Sequence, residues 1–120
     1  MPGKFTTALR DTNQIDLVVT GRVSGRQIAN PVWFVLENNT VRLLPVHGSD
    51  SDWFKNVVAR PDVRLTADSE SVTAGAVPVT DAGEVRSVVE KFRAKYGSDQ
   101  IAEYYPKTDV AVEVTLPSSA

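Results

Sequence analysis

The chain has 120 residues, 42% of them hydrophobic and 23% charged, and a formal net charge of −2. This length and composition are those of an ordinary globular domain, so we expect one domain over residues 1–120. With no cysteine and one histidine, disulfides, thiolate chemistry and multi-histidine metal sites are excluded, and no metal site is predicted.

Neither a nucleic acid nor a membrane is an expected partner. The lysines and arginines form no stripe along the sequence, which disfavours DNA and RNA binding. Apolar runs are much shorter than the roughly 20 residues that span a bilayer. The first residues, 1–7, lack the apolar region and cleavage site of a signal peptide. The sequence therefore predicts a cytoplasmic location.

The first predicted strands occupy residues 15–20, 28–37 and 41–46. The first is rich in β-branched residues and stops at Gly21. Pro31 lies near the start of the second and indicates an edge strand or a bulge, because proline donates no ladder hydrogen bond. Asn38 and Asn39 tolerate positive φ, so they predict a hairpin turn before the third strand.

Two helices are predicted, and three more strands. The first helix carries Trp53, Phe54 and Val57 on one face and ends near residue 60. Strands are predicted over 62–67 and 72–79, joined by a turn. Asp81 then has a capping-box spacing to Glu84, before a second helix that runs to residue 97. The closing strand, 110–116, alternates valines and Leu116 on one face, and a tail follows over 117–120.

The predicted order is therefore β-β-β-α-β-β-α-β, mainly β with two helices. Connections this short favour antiparallel pairing. Six short antiparallel strands with little helical cover are most economically closed into a small barrel, which removes the sheet edges.

Two segments are candidate anion sites. Residues 20–26 combine two glycines, two hydroxyls, Arg22 and Arg26 in a loop between strands, and arginine forks suit phosphate. The second segment, 47–51, precedes a helix, where backbone amides meet anions. Asp50 and Asp52 favour simple capping there instead, and a lone histidine in a loop, His47, is most often only a loop residue.

Large aromatic side chains outside the helix faces are candidates for a flat-ring site. Trp33, Tyr104 and Tyr105 occupy predicted strand and loop positions, where they either wall a planar ring or pack in the core. Without a triad or a metal site, any catalysis is expected to rest on a cofactor.

Several motifs together resemble the deazaflavin-dependent nitroreductase group of the flavin/deazaflavin oxidoreductases, within the split β-barrel, pyridoxamine-phosphate-oxidase-like superfamily. The resemblance runs from about residue 15 to residue 116 and is carried by these segments: Thr20-Gly21-Arg22-x-Ser24-Gly25, Asn30-Pro31-Val32-Trp33-Phe34, His47-Gly48, Asp52-Trp53-Phe54-x-Asn56-Val57 and Ala59-Arg60-Pro61-Asp62-Val63. It implies a six-stranded split barrel that binds the deazaflavin coenzyme F-420.

The resemblance also implies roles for individual residues. It assigns the coenzyme tail to Arg22, Ser24, Gly25 and Arg26, with His47 at a position where the family commonly has a lysine. It places Pro31, Val32 and Trp33 along the ring. The family loop carries a second lysine where this chain has Val23, so FMN stays open as the alternative cofactor.

Function and assembly follow from the same resemblance. It implies an oxidoreductase that transfers hydride to a small organic electrophile, and a homodimer with the cofactor in a cleft between subunits. Tyr104, Tyr105 and His47 are candidate proton or hydrogen-bond donors to the substrate, and the catalytic residues stay unassigned. The alternative is a non-catalytic split-barrel module that binds a small ligand or serves as an interaction scaffold.

Overall fold

The computed structural model describes residues 3–117 and places seven strands and four α-helices among them. The helices are α1 (Lys4–Arg10), α2 (Asp52–Ala59), α3 (Ala82–Tyr96) and α4 (Ser98–Tyr104), with a 3-10 turn over Gly48–Asp50. The strands are β1 (Ile15–Thr20), β2 (Gln27–Val32), β3 (Val35–Glu37), β4 (Thr40–Leu43), β5 (Asp62–Ala67), β6 (Glu70–Val79) and β7 (Ala111–Thr115). Of the predicted tail, residues 118–120 lie outside the described residues.

One curled antiparallel sheet contains all of these strands, in the order β2-β1-β5-β6-β7-β4-β3. β6 belongs to both halves, because residues 70–75 pair with β5 and residues 76–79 pair with β7. The two edge strands, β2 and β3, do not pair with each other, so the sheet is a half-barrel and the predicted closed barrel is wrong. Pro31 lies on edge strand β2, as its missing N–H led us to expect.

The prediction of six strands is also wrong, because segment 28–37 is divided. Trp33 and Phe34 separate β2 from β3, and the hydroxyl of Tyr96 accepts a hydrogen bond from the Phe34 N–H at 3.1 Å. That oxygen also lies 2.9 Å from the Phe34 carbonyl oxygen. Since the Tyr96 side chain contacts both backbone polar groups of Phe34, no strand ladder is needed there.

The prediction of two helices missed α1 and α4. Both have only seven residues, and no side chain caps the N-terminus of either one. α1 buries Phe5, Ala8 and Leu9, whereas α4 buries only Ile101. Helices this short gain their stability from tertiary packing rather than from local sequence signals.

The predicted longer helix is confirmed as α3. The Asp81 carboxylate accepts a hydrogen bond from the Glu84 N–H at 3.0 Å, and Gly97 ends the helix at φ 97°. The two hairpin turns are confirmed as well, with Asn38 at φ 56° and Asp68 at φ 54°.

Buried side chains form two clusters, one on each face of the sheet. The larger contains Trp53 and Phe54, while the smaller packs Phe92 of α3 beneath Ile101 of α4. Trp53 and Phe54 were predicted to share one helix face, and that face is buried. β7 contributes to both clusters, so it is more buried than the half-buried strand that its alternation predicted. Within residues 3–117, no helix is long and apolar enough to cross a membrane.

The Asp81 cap gives a test of how α3 is held. We expect Asp81→Ala to lower the free energy of unfolding by about 1 kcal/mol, because the Glu84 N–H loses its acceptor. Asp81→Asn keeps an oxygen at the same place and is expected to stay close to the parent. Urea unfolding followed by circular dichroism measures both, and equal losses in the two variants would contradict the capping role.

Candidate functional site

The loop between β1 and β2, residues 21–26, is closed by its own backbone. The Gly21 N–H donates to the Arg26 carbonyl at 2.8 Å, and the Gly25 N–H donates to the Gly21 carbonyl at 2.9 Å. The Arg26 N–H donates to Ser24 Oγ at 3.2 Å. Gly25 has φ 73°, which favours glycine. A Cβ on Gly21 would lie 2.6 Å from Ser24 Oγ, so this position also needs glycine.

Helix α2 fixes the loop through one buried amide. Asn56 Oδ1 accepts two hydrogen bonds from Arg22, one from its backbone N–H at 3.0 Å and one from Nη1 at 2.8 Å. Arg22 Nη1 also lies 3.4 Å from the Asp52 carbonyl oxygen. Asn56 is only 5% exposed. Sequence reasoning placed Asn56 in a motif but gave it no role, although a polar residue on the buried face of a helix was the available signal.

A cavity of about 290 Å³ opens beside this loop. We call it the loop cavity. It is lined by Gly21, Arg22, Val23, Ser24, Ile28, Asp52 and Asn56. Val23 is 93% exposed. The Asp52 carboxylate lies 3.9 Å from Arg22 Nη2 and offsets part of its charge. The N–H groups of Val23 and Ser24 and the guanidinium of Arg26 have no partner among residues 3–117, so they are available to an anion.

A second cavity, of about 300 Å³, lies near the other end of β2. We call it the aromatic cavity. It is lined by Gln14, Pro31, Trp33, Val46, Gln100, Tyr104 and Tyr105. Tyr104 meets Trp33 edge to face, with centroids 5.6 Å apart. Tyr104 is 49% exposed, whereas Tyr105 is buried, and burial raises the pKa of the Tyr105 hydroxyl above its usual range. The predicted gathering of Trp33, Tyr104 and Tyr105 is therefore present.

Tyr96 holds Trp33 from the side away from solvent. The two rings are stacked at 4.4 Å with planes 9° apart. Burial raises the pKa of the Tyr96 hydroxyl, which lies 2.8 Å from the Asn13 carbonyl oxygen as well as against Phe34. Tyr96 falls within the second predicted helix, and no sequence signal pointed to the partners of its hydroxyl.

The second candidate anion segment, 47–51, already binds a carboxylate of the protein itself. Asp109 accepts hydrogen bonds from the Ser49 N–H at 2.9 Å and from Ser49 Oγ at 2.5 Å. Partial desolvation raises the pKa of Asp109, but the hydrogen bonds from Ser49 outweigh it and hold the pKa below its usual range. The amides at this turn therefore serve an internal contact. His47 is exposed and lines neither cavity.

The structure divides the predicted site residues between two cavities, one near each end of edge strand β2. Arg22 and Ser24 line the loop cavity, with Gly25 and Arg26 in the same loop; Pro31 and Trp33 line the aromatic cavity. The Val32 side chain points into the core and is 8% exposed. On β2, Ile28 lines the loop cavity and Pro31 lines the aromatic cavity. Three residue steps of about 3.3 Å separate these two residues, which is roughly 10 Å along the strand.

Comparison with known proteins identifies the family. Residues 1–117 match the model of the F-420H(2)-dependent quinone reductase family, so the chain belongs to that family. It is a family of deazaflavin-dependent reductases. No match was found among curated proteins.

Solved structures show the same fold. An F-420-H2 dependent reductase is 24% identical with a TM-score of 0.68, over 85% of this chain and 93% of that chain. A structure described as a domain-swapped dimer has the same identity and TM-score, over 85% of this chain and 79% of its own. A candidate pyridoxamine 5'-phosphate oxidase from Listeria innocua is 13% identical with a TM-score of 0.69, over 94% and 90% of the two chains.

The tie between the loop and α2 is testable without a ligand. We expect Asn56→Ala to lower the free energy of unfolding by about 1–3 kcal/mol, because two N–H groups of Arg22 lose their acceptor. Asn56→Asp keeps that acceptor beside the guanidinium and is expected to retain more of the stability. Thermal unfolding measures both, and an Asp variant as unstable as the Ala variant would show that Arg22 is not held this way.

Proposed function

We propose that this protein binds the deazaflavin coenzyme F-420 along edge strand β2 and transfers hydride to a small organic electrophile. The observation that carries the proposal is the placement of an amide- and arginine-bearing loop and an aromatic cavity at the two ends of one exposed strand, in a chain of a deazaflavin-dependent family. A cofactor with a planar ring and an anionic tail has these two chemistries in this arrangement.

The loop fits an anionic tail. The N–H groups of Val23 and Ser24 and the Arg26 guanidinium, which have no partner in the described part of the chain, offer hydrogen bonds that are stronger to a charged acceptor. Arg22 adds a second cation, which Asn56 holds toward the loop cavity. Asp52 opposes an anion there, so the net attraction rests on two cations against one carboxylate.

The aromatic cavity fits the ring. Trp33 is fixed by its stack on Tyr96, and Tyr104 and Pro31 complete an apolar wall. Rigid aromatic side chains lose little entropy when a planar ring packs against them. Val32 is assigned a place along the ring through its backbone, because its side chain belongs to the core.

When bound and reduced, the deazaflavin supplies a hydride. The chain's own residues hold the reactants close together and keep water from the reacting atoms. The Tyr105 hydroxyl, with its raised pKa, stays protonated at neutral pH and is therefore a hydrogen-bond donor at the wall of the cavity. Tyr104 offers a second hydroxyl. His47 reaches neither cavity in this chain, so a role for it requires a ligand that extends beyond them.

The exposed edge of β2 supports a homodimer. Most of the β2 side chains are exposed, including the apolar Ile28 at 41%. An unprotected strand edge invites pairing with another chain, and both cavities open along it. We therefore propose that a second copy covers this edge and completes the site.

The function is tested by titration with cofactors. We expect F-420 to bind the parent protein and Val23→Lys to raise the affinity about tenfold, because a lysine there adds a cation at the tail. Val77→Lys, at another exposed valine on β6, is the matched control and leaves the affinity unchanged. Fluorescence quenching and calorimetry measure the dissociation constants.

Each other outcome assigns a different function. Tight binding of FMN instead of F-420 would make the chain a flavin-dependent protein. Binding of neither cofactor by the parent or by Val23→Lys would leave the non-catalytic module that binds another ligand or acts as a scaffold.

Assembly is tested by mass in solution. At micromolar concentration, sedimentation equilibrium is expected to give twice the chain mass of 13.1 kDa. Ile28→Lys, which puts a charge on the exposed edge, is expected to shift the protein toward monomer. A parent that sediments as a single chain would refute the dimer.

A further inference from the structure

A third cavity, of about 450 Å³, lies between α1, β3 and the end of α3. It is lined by Leu9, Arg10, Thr12, Asn13, Phe34, Val35, Leu36, Asn38 and Lys95. Of its lining residues, Phe34 alone belongs to a family motif recognised in the sequence. Its size is within the range of small-molecule sites, about 300–1,000 Å³. We call it the Arg10–Lys95 cavity.

The charged groups of this cavity are all positive. Arg10 and Lys95 are the only charged residues in its lining, and Arg10 has no hydrogen-bond or ion-pair partner within residues 3–117. Of the nearest acids along the chain, Glu37 pairs with Arg42 and Lys91, and Asp11 is outside the lining. The cavity therefore attracts anions although the chain as a whole is acidic.

Lys95 is held at the cavity wall. Its Nζ donates a hydrogen bond to the Phe34 carbonyl at 2.7 Å and lies 3.7 Å from the centroid of the Phe34 ring. The loss of water around the ammonium lowers the pKa of Lys95. One hydrogen bond leaves two N–H donors of the ammonium for another acceptor. An anion beside this group would compensate for the lost hydration.

We propose that the Arg10–Lys95 cavity binds a small organic carboxylate. The Arg10 guanidinium presents a fork that matches a carboxylate, and Lys95 adds a point charge. Val35 and Leu36, which are only partly buried, provide an apolar wall for the rest of the molecule. An inorganic anion would leave that wall bare. The ligand is therefore an acid with an aromatic or aliphatic body.

This site is separate from the aromatic cavity, and its existence does not depend on the proposed function. Neighbouring residues line opposite cavities: Asn13 and Phe34 face this one, while Gln14 and Trp33 face the aromatic cavity. Tyr96 stands at the boundary, with its hydroxyl on Phe34 and its ring on Trp33. The two sites are thus distinguishable by which residues respond to a ligand.

The test uses 1-naphthoate as the probe on the cofactor-free parent protein, followed by NMR. We expect saturable shifts of the Val35 and Leu36 methyl groups with little change at the Trp33 indole. The uncharged 1-naphthamide and inorganic phosphate are each expected to bind at least about tenfold more weakly, since each lacks one half of the recognition.

Two variants test whether the charges of Arg10 and Lys95 bind the carboxylate. Arg10→Gln is expected to weaken naphthoate about tenfold, and Lys95→Gln to do so to a similar extent, whereas Lys4→Gln, on the same helix as Arg10, stays within about twofold of the parent. Equal affinity for naphthoate and naphthamide, shifts confined to Trp33, or no saturable binding would each overturn the proposal. F-420 binding is unaffected by Arg10→Gln, so failure here is distinct from failure of the oxidoreductase assignment.

Discussion

The hydrogen bonds between the Tyr96 hydroxyl and the Phe34 peptide organise the functional half of this structure. Phe34 lies where the chain leaves one edge of the open sheet, β2, and enters the other edge, β3. Because one phenol oxygen contacts both the N–H and the carbonyl oxygen of Phe34, the junction is fixed without strand pairing. The same ring stacks on Trp33, so backbone and side chain are positioned by a single residue.

Edge strand β2 is thus held at both ends by helices. α3 fixes its end through Tyr96, and α2 fixes its beginning through Asn56 and the Arg22 backbone. An open sheet edge is ordinarily an aggregation hazard. Here Pro31 removes one donor from the edge, and a cavity lies near each end of the remaining exposed strand.

Local signals in the sequence predicted what is local in the structure. The Asp81 cap, the Asn38 turn and the glycine loop are each determined within a few residues, and the structure has all three. The contacts of Asn56 and Tyr96 join residues 34 and 62 positions apart. No sequence periodicity indicates contacts between residues so far apart in the chain. The division of segment 28–37 and the contact of Asn56 with the loop therefore could not be predicted from the sequence. The loop's own residues indicated its chemistry, and the family motif contained Asn56, but neither indicated that Asn56 holds the loop.

The placement of acids determines which basic or amide-rich surfaces remain open to anions. At the turn after His47, Asp109 satisfies the Ser49 amide, so a site expected from local sequence is closed by a residue 60 positions away. At the loop cavity, the Asp52 carboxylate offsets part of the charge of the Arg22 guanidinium, so part of the positive charge remains for an anion. At the Arg10–Lys95 cavity no acid lines the wall. Anion binding in this chain therefore depends less on where cations lie in the sequence than on which of them the fold leaves without a neighbouring carboxylate.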